Sequence, residues 1–207
     1  MQATLRTCCD AGDPGPEQRR VGWQMQFGGQ GFWQLRQKAA VGSRSEKGSA
    51  LMPGWKIARD DPARPEVAAV IAAHLAQMRA QTPSEMVFAL PIEALRAPEI
   101  WFYSLSLDQV VGVGAIRLLA DGTGELKSMH ILAAYRGRGL GEAMVLHLMQ
   151  QARRNRLARL YLETGAGEAH ASARRLYAKV GFSECRAFAD YSDDPRSFFM
   201  RHQIGSA

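Results

Sequence analysis

The run Tyr135-Arg136-Gly137-Arg138-Gly139-Leu140-Gly141 has the residue types and spacing to hold an anion. The apolar stretch before it, Glu125 to Leu132, reads as a strand. After it, Leu140, Met144, Val145, Leu148 and Met149 recur at the spacing of one helix face. A basic, glycine-rich turn between a strand and a helix N-terminus gathers unpaired backbone N–H groups, and the helix dipole adds positive potential there. Gly139 and Gly141 carry no Cβ, so a diphosphate can lie directly on the backbone.

Three glycine-rich designs compete for this loop. A P-loop closes on Gly-Lys-Ser or Gly-Lys-Thr, a triplet this loop lacks. A dinucleotide fingerprint, G-x-G-x-x-G, misses its third glycine in either register: counted from Gly137 it falls on Glu142, and from Gly139 on Met144. Glu163, ending the next strand, stands where a ribose contact is expected and keeps a Rossmann-type oxidoreductase as the last alternative. The third design, Arg-x-x-Gly-x-Gly, is met by Arg136, Gly139 and Gly141. It resembles the pyrophosphate loop of the GNAT superfamily of N-acetyltransferases, which binds acetyl-CoA.

A second signature follows in order. Ala173, Leu176, Tyr177, Gly181 and Phe182 are similar to the A-x-x-L-Y-x-x-x-G-F run of that superfamily, with the Leu-Glu-Thr-Gly strand of Arg159 to Thr164 between the two. Asp190, Tyr191, Asp194 and Pro195 resemble the late D-Y-x-x-D-P hairpin of small bacterial members. The chain departs from the pattern at His170, where many members carry an asparagine credited with a CoA contact.

The resemblance implies a division of labour. Arg136, Gly137, Arg138, Gly139, Leu140 and Gly141 would bind the diphosphate. The backbone of Met129 and Ile131 would face the pantetheine arm where the sheet splays apart, and one of their N–H groups would polarise the thioester carbonyl. Tyr177 is the expected acid for the leaving sulfur, a phenol and a thiol being close enough in pKa for transfer. Glu125 is the candidate base by its place before the loop, with Glu163 its rival and His130 and His170 behind them. Cys185 has no activating base nearby in sequence and reads as an inert thiol. No metal is implied.

These groups need a scaffold, and the chain has room for one. With 207 residues and 46% hydrophobic content, it supports one well-packed domain. No run of apolar residues is long enough to span a membrane, the N-terminus does not read as a secretion signal, and three cysteines give neither a disulfide framework nor metal spacing. A reducing cytoplasm fits best. Much of the net charge of +6 is arginine near the loop, which reads either as a solvated helix face or as steering for a polyanionic cofactor, and no nucleic-acid-binding module accompanies it.

Residues 1–51 read as a flexible or non-native extension ahead of a domain at 52–207. The predicted elements are a strand at 55–59, a helix at 65–80, a short helix at 92–96, strands at 100–107 and 109–119, the strand before the loop, the helix after it, a strand at 159–164, a helix at 168–180 and a hairpin of 183–191 with 197–204. That order, βααβββαβαββ, is the GNAT arrangement, an α/β fold with a mixed sheet of about seven strands and helices on both faces. The function it implies is acetyl transfer from acetyl-CoA to a primary amine of a small molecule or peptide, directly, in a ternary complex. A non-catalytic CoA-binding module is the alternative, and a homodimer is compatible with either.

Overall fold

The computed structural model describes residues 23–28, 32–37, 54–81 and 90–205. The elements are β1 (Trp23–Gly28), β2 (Phe32–Gln37), β3 (Lys56–Arg59), α1 (Pro65–Gln81), α2 (Ile92–Leu95), β4 (Ile100–Ser106), β5 (Val110–Leu118), β6 (Gly124–Ile131), α3 (Leu140–Arg154), β7 (Arg159–Gly165), α4 (Ala171–Lys179), β8 (Ser183–Glu184) and β9 (Ser197–Gln203). From β3 onward this is the predicted order. Seven strands make one open sheet in the order β3-β4-β5-β6-β7-β9-β8. Neighbours run antiparallel except β6 and β7, which are parallel and joined through α3.

Strand alternation sorts the core into two layers. Ile100 and Phe102 of β4 pack with Val67, Val70 and Ile71, which lie at i, i+3, i+4 on α1. Tyr103 and Leu105 point to the other face, against Met144, Val145 and Leu148 of α3. Each fully buried aliphatic side chain of this kind contributes about 1.5–3 kcal/mol through removal from water. Pro65 opens α1, where a missing N–H costs nothing.

Two segments differ from the sequence reading. The strand expected over 183–191 is only two residues long. Beyond Cys185, whose N–H still donates to the Phe199 carbonyl, the chain leaves the ladder; Ala189 adopts φ +46°, which a strand cannot continue through. Phe188 and Tyr191 instead turn inward to pack on Tyr161 and Phe199. Within residues 1–51, β1 and β2 pair antiparallel as a separate two-stranded sheet, an element the sequence reading did not place. Most of that expected extension lies outside the described residues.

Candidate active site

The site begins where a strand pair stops pairing. β6 and β7 hydrogen-bond only from Gly124, Glu125 and Leu126 to Leu160, Tyr161 and Leu162. Both strands run on, β6 to Ile131 and β7 to Gly165, without further pairing between them. The register of β5 with β6 shifts between Val113 and Ala115, opposite Ser128, which sits at φ +53°. Such a bulge bends a strand and increases its twist, so β6 swings off β7 and leaves an open edge. The Leu132 N–H donates to Val111 on the β5 side. By alternation, the Ile131 N–H faces the open edge.

The glycine-rich loop sits at the end of this gap. Gly137 and Gly139 adopt φ +75° and +79°, and Gly139 forms the N-cap of α3 without any side-chain cap. The first backbone bond into the helix is Ala143 N–H to the Gly139 carbonyl, so the earlier N–H groups of α3 keep no partner within the helix. Nothing lies within 4 Å of where a Gly139 Cβ would be. A bare, uncapped, left-handed entry of this kind fits a diphosphate.

The arginines brace this loop. Arg136 donates through Nε to the Ile131 carbonyl at 2.9 Å and through a terminal nitrogen to Gln77 of α1 at 2.5 Å. Arg138 donates to the Ala134 carbonyl at 3.1 Å and lies over the Tyr135 ring. Arg174 of α4 holds the carbonyls of Gly165 and Gly167 at 2.7 and 2.8 Å. Met129, Ile131, Arg136, Gly137, Gly139, Leu140 and Gly141 line a cavity of about 940 Å³. Arg138 is not part of that lining.

Glu163 and Tyr177 also line the cavity; Glu125 does not. Tyr177 of α4 is only 7% exposed, and burial, then the nearby Glu163, raises its pKa well above the usual phenol value, so it stays protonated. Glu163 is half-buried and accepts from Ser197 Oγ at 2.9 Å; burial pushes its carboxyl above the ordinary range. Glu125 is fully buried. Its Oε2 takes both Nε and a terminal nitrogen of Arg117 at 2.9 and 2.8 Å, and its Oε1 accepts from the Tyr191 hydroxyl at 2.7 Å, with Lys127 Nζ at 3.3 Å. A carboxylate this fully engaged is an anchor between β5, β6 and the segment before β9.

Two histidines meet at the wall formed by α1 and β6. His74 and His130 have ring centroids 5.0 Å apart, and burial holds both near pKa 4, hence neutral at physiological pH. The sequence reading did not single out His74, although its place on the apolar face of α1 was a signal. His170 lines the cavity too, and its ring occupies the space a Cβ on Gly165 would need, 2.5 Å away, so a larger residue there would displace the imidazole. Cys185 stands outside the lining, its thiol raised by burial. Among the described residues no cluster of metal-ligating side chains occurs and no helix is long and apolar enough to cross a membrane.

Known proteins resemble this chain in sequence and fold. Residues 67–182 match the model of the acetyltransferase (GNAT) family. The uncharacterized N-acetyltransferase YedL of Escherichia coli (strain K12) is 41% identical over 147 residues, spanning 70% of this chain and 92% of that one. The uncharacterized N-acetyltransferase YsnE of Bacillus subtilis (strain 168) is 37% identical over 146 residues, 70% of this chain and 97% of that one. A solved Klebsiella pneumoniae structure assigned to the acyl-CoA N-acyltransferases superposes with a TM-score of 0.60 at 31% identity, covering 73% of this chain and 98% of that one.

Proposed function

This chain belongs to the GNAT family of acetyltransferases, and on that premise we propose that it moves an acetyl group from acetyl-CoA directly to a primary amine of a small molecule or peptide, both substrates being bound at once. The observation that carries the reading is the split between β6 and β7, which brings the glycine-rich loop, a free strand edge, a carboxylate and a protonated phenol to one cavity. Acetyl-CoA, when bound, supplies the acetyl group as a thioester. The uncapped first turn of α3 and the backbone of Gly137 to Gly141 would hold its diphosphate. The free edge of β6, with the N–H groups of Met129 and Ile131, would hold the arm and stabilise charge developing on the carbonyl oxygen.

We assign proton removal to Glu163 and leave Glu125 as the anchor beneath it. Glu163 lies on the cavity wall, and its raised pKa makes it a better base than an ordinary carboxylate. It takes one proton from the bound ammonium, and the freed pair forms the new C–N bond as the C–S bond breaks. Tyr177 gives its hydroxyl proton to the departing sulfur. Burial keeps that phenol protonated until the sulfur departs. The acylated nitrogen sheds its second proton to the tyrosinate, which restores Tyr177, and Glu163 releases the proton it gained to solvent.

The test is acetyl-CoA consumption by the full chain across a panel of primary amines, with acetylated product identified by mass. Product formation supports the reading. Binding of acetyl-CoA without turnover of any amine would favour the non-catalytic module, and binding of NAD(H) in its place the oxidoreductase.

A further inference from the structure

We propose that the acceptor is zwitterionic, carrying a carboxylate beside its amine as an α-amino acid does, and that Lys127 reads that carboxylate. The amine half of this inference rests on the acetyl-transfer reading above; the carboxylate half rests on geometry that can be measured without turnover.

Lys127 and Glu163 are each one residue past the last paired rung, Leu126 with Leu162. They are the first residues on either side of the fork, and both line the cavity. The Lys127 side chain is only 10% exposed. Its ammonium donates to the Tyr191 hydroxyl at 2.9 Å. That hydroxyl has its own hydrogen on Glu125 Oε1, so it must accept from Lys127. A second N–H faces Glu125 Oε1 at 3.3 Å. Among the described residues, no side chain takes the third donor. A buried ammonium with a spare donor on a cavity wall favours an anionic partner.

The charge balance points the same way. Glu125 serves two cations, Arg117 and Lys127, with a single negative charge. Glu163, within electrostatic reach of Lys127 across the fork, supplies the second negative charge, so the four groups balance among themselves. An acceptor bearing only an ammonium would add one uncompensated positive charge to this partly buried site. An acceptor that also carries a carboxylate keeps the balance and can set its two groups on the two sides of the fork, amine to Glu163 and carboxylate to Lys127. The Lys127–Tyr191–Glu125–Arg117 chain then acts as the mount that keeps the ammonium from swinging out to solvent.

The experiment uses the full chain with CoA present and titrates matched product pairs by calorimetry: a small panel of N-acetyl-amino acids against the corresponding N-acetyl-amino acid amides, which lack only the carboxylate charge. The acids are expected to bind about tenfold or more tightly than their amides. Lys127→Met should bring each pair to parity, and Lys127→Arg should restore part of the preference; thermal melts confirm that both variants fold. In turnover, Lys127→Met should collapse the ratio of kcat/KM between amino acids and their methyl esters. Equal binding of acids and amides by the parent chain overturns the proposal. So does a Lys127→Met variant that slows acids and esters alike, which would place the ammonium on the acyl carbonyl or in the fold alone. A carboxylate preference in binding with no amine acetylated supports the Lys127 contact while overturning acetyl transfer.

Discussion

The strand pair β6–β7 has two ends with opposite characters. At the closed end, Gly124 to Leu126 pair with Leu160 to Leu162, and Glu125 sits fully buried among Arg117, Lys127 and Tyr191. At the open end the strands part, and Glu163 faces a cavity shared with Tyr177, Met129 and the glycine-rich loop. Both carboxylates lie on neighbouring strands of one sheet, close to the same fork. What separates them is the rung at which backbone pairing stops. Below it a carboxylate is consumed by structural partners; above it one is left partly desolvated and able to take a proton. The place where the pairing stops, more than residue type, sets which of the two acids faces the cavity.

The largest effect should come from disturbing the closed end. Glu125→Gln leaves Arg117 and Lys127 without their shared charge, and removing one partner of a buried ion pair costs about 3 kcal/mol or somewhat more, Arg117's partial exposure holding it to the low side. Denaturant titration should show that loss, while Glu163→Gln, which removes a carboxylate whose ionisation burial disfavours, should leave stability within about 1 kcal/mol of the parent. Equal stabilities for the two variants would erase the contrast.

At the open end, Tyr177→Phe should cut turnover by roughly ten- to a thousandfold with acetyl-CoA affinity nearly unchanged, as expected when one acid catalyst is removed. Full activity in steady-state assays would reduce Tyr177 to a packing role. A smaller change is expected from Gly139→Ala. A Cβ at φ +79° costs about 1–2 kcal/mol, so the loop should relax and acetyl-CoA binding by calorimetry should weaken by about tenfold, with the melting temperature little altered. Unchanged affinity would separate this loop from the diphosphate.

Much of the open end was legible in the sequence. Left-handed glycines, an uncapped helix start and a tyrosine at fixed spacing on the following helix are local requirements, and local requirements leave residue-type signatures. Gly137, Gly139 and Tyr177 stand where that reading put them. The choice between Glu125 and Glu163 was not legible, because it depends on contacts far apart in the chain. Ser128's bulge decides where β6 leaves β7, and Tyr191, 66 residues from Glu125, closes the buried network. The brevity of β8 was hidden for a similar reason: Phe188 and Tyr191 have the composition of strand residues, and only their inward packing on β7 and β9 shows that they leave the ladder. Arg138 was expected at the cofactor from its place in the loop; its guanidinium donates to the Ala134 carbonyl and lies outside the cavity lining.

The most direct test of the account is the pH dependence of kcat/KM for Glu163→Gln beside the parent and Glu125→Gln, measured with acetyl-CoA and an amine that the parent acetylates. With Glu163 as base, the protonated amine can bind and be deprotonated in place. Its loss forces the variant to rely on free amine from solution. The account predicts a deficit of about a hundredfold or more near neutral pH that narrows steadily as the pH approaches the amine's own pKa, with Glu125→Gln keeping the parent's profile shape. A Glu163→Gln profile parallel to the parent's, or the narrowing deficit appearing in Glu125→Gln instead, would contradict it.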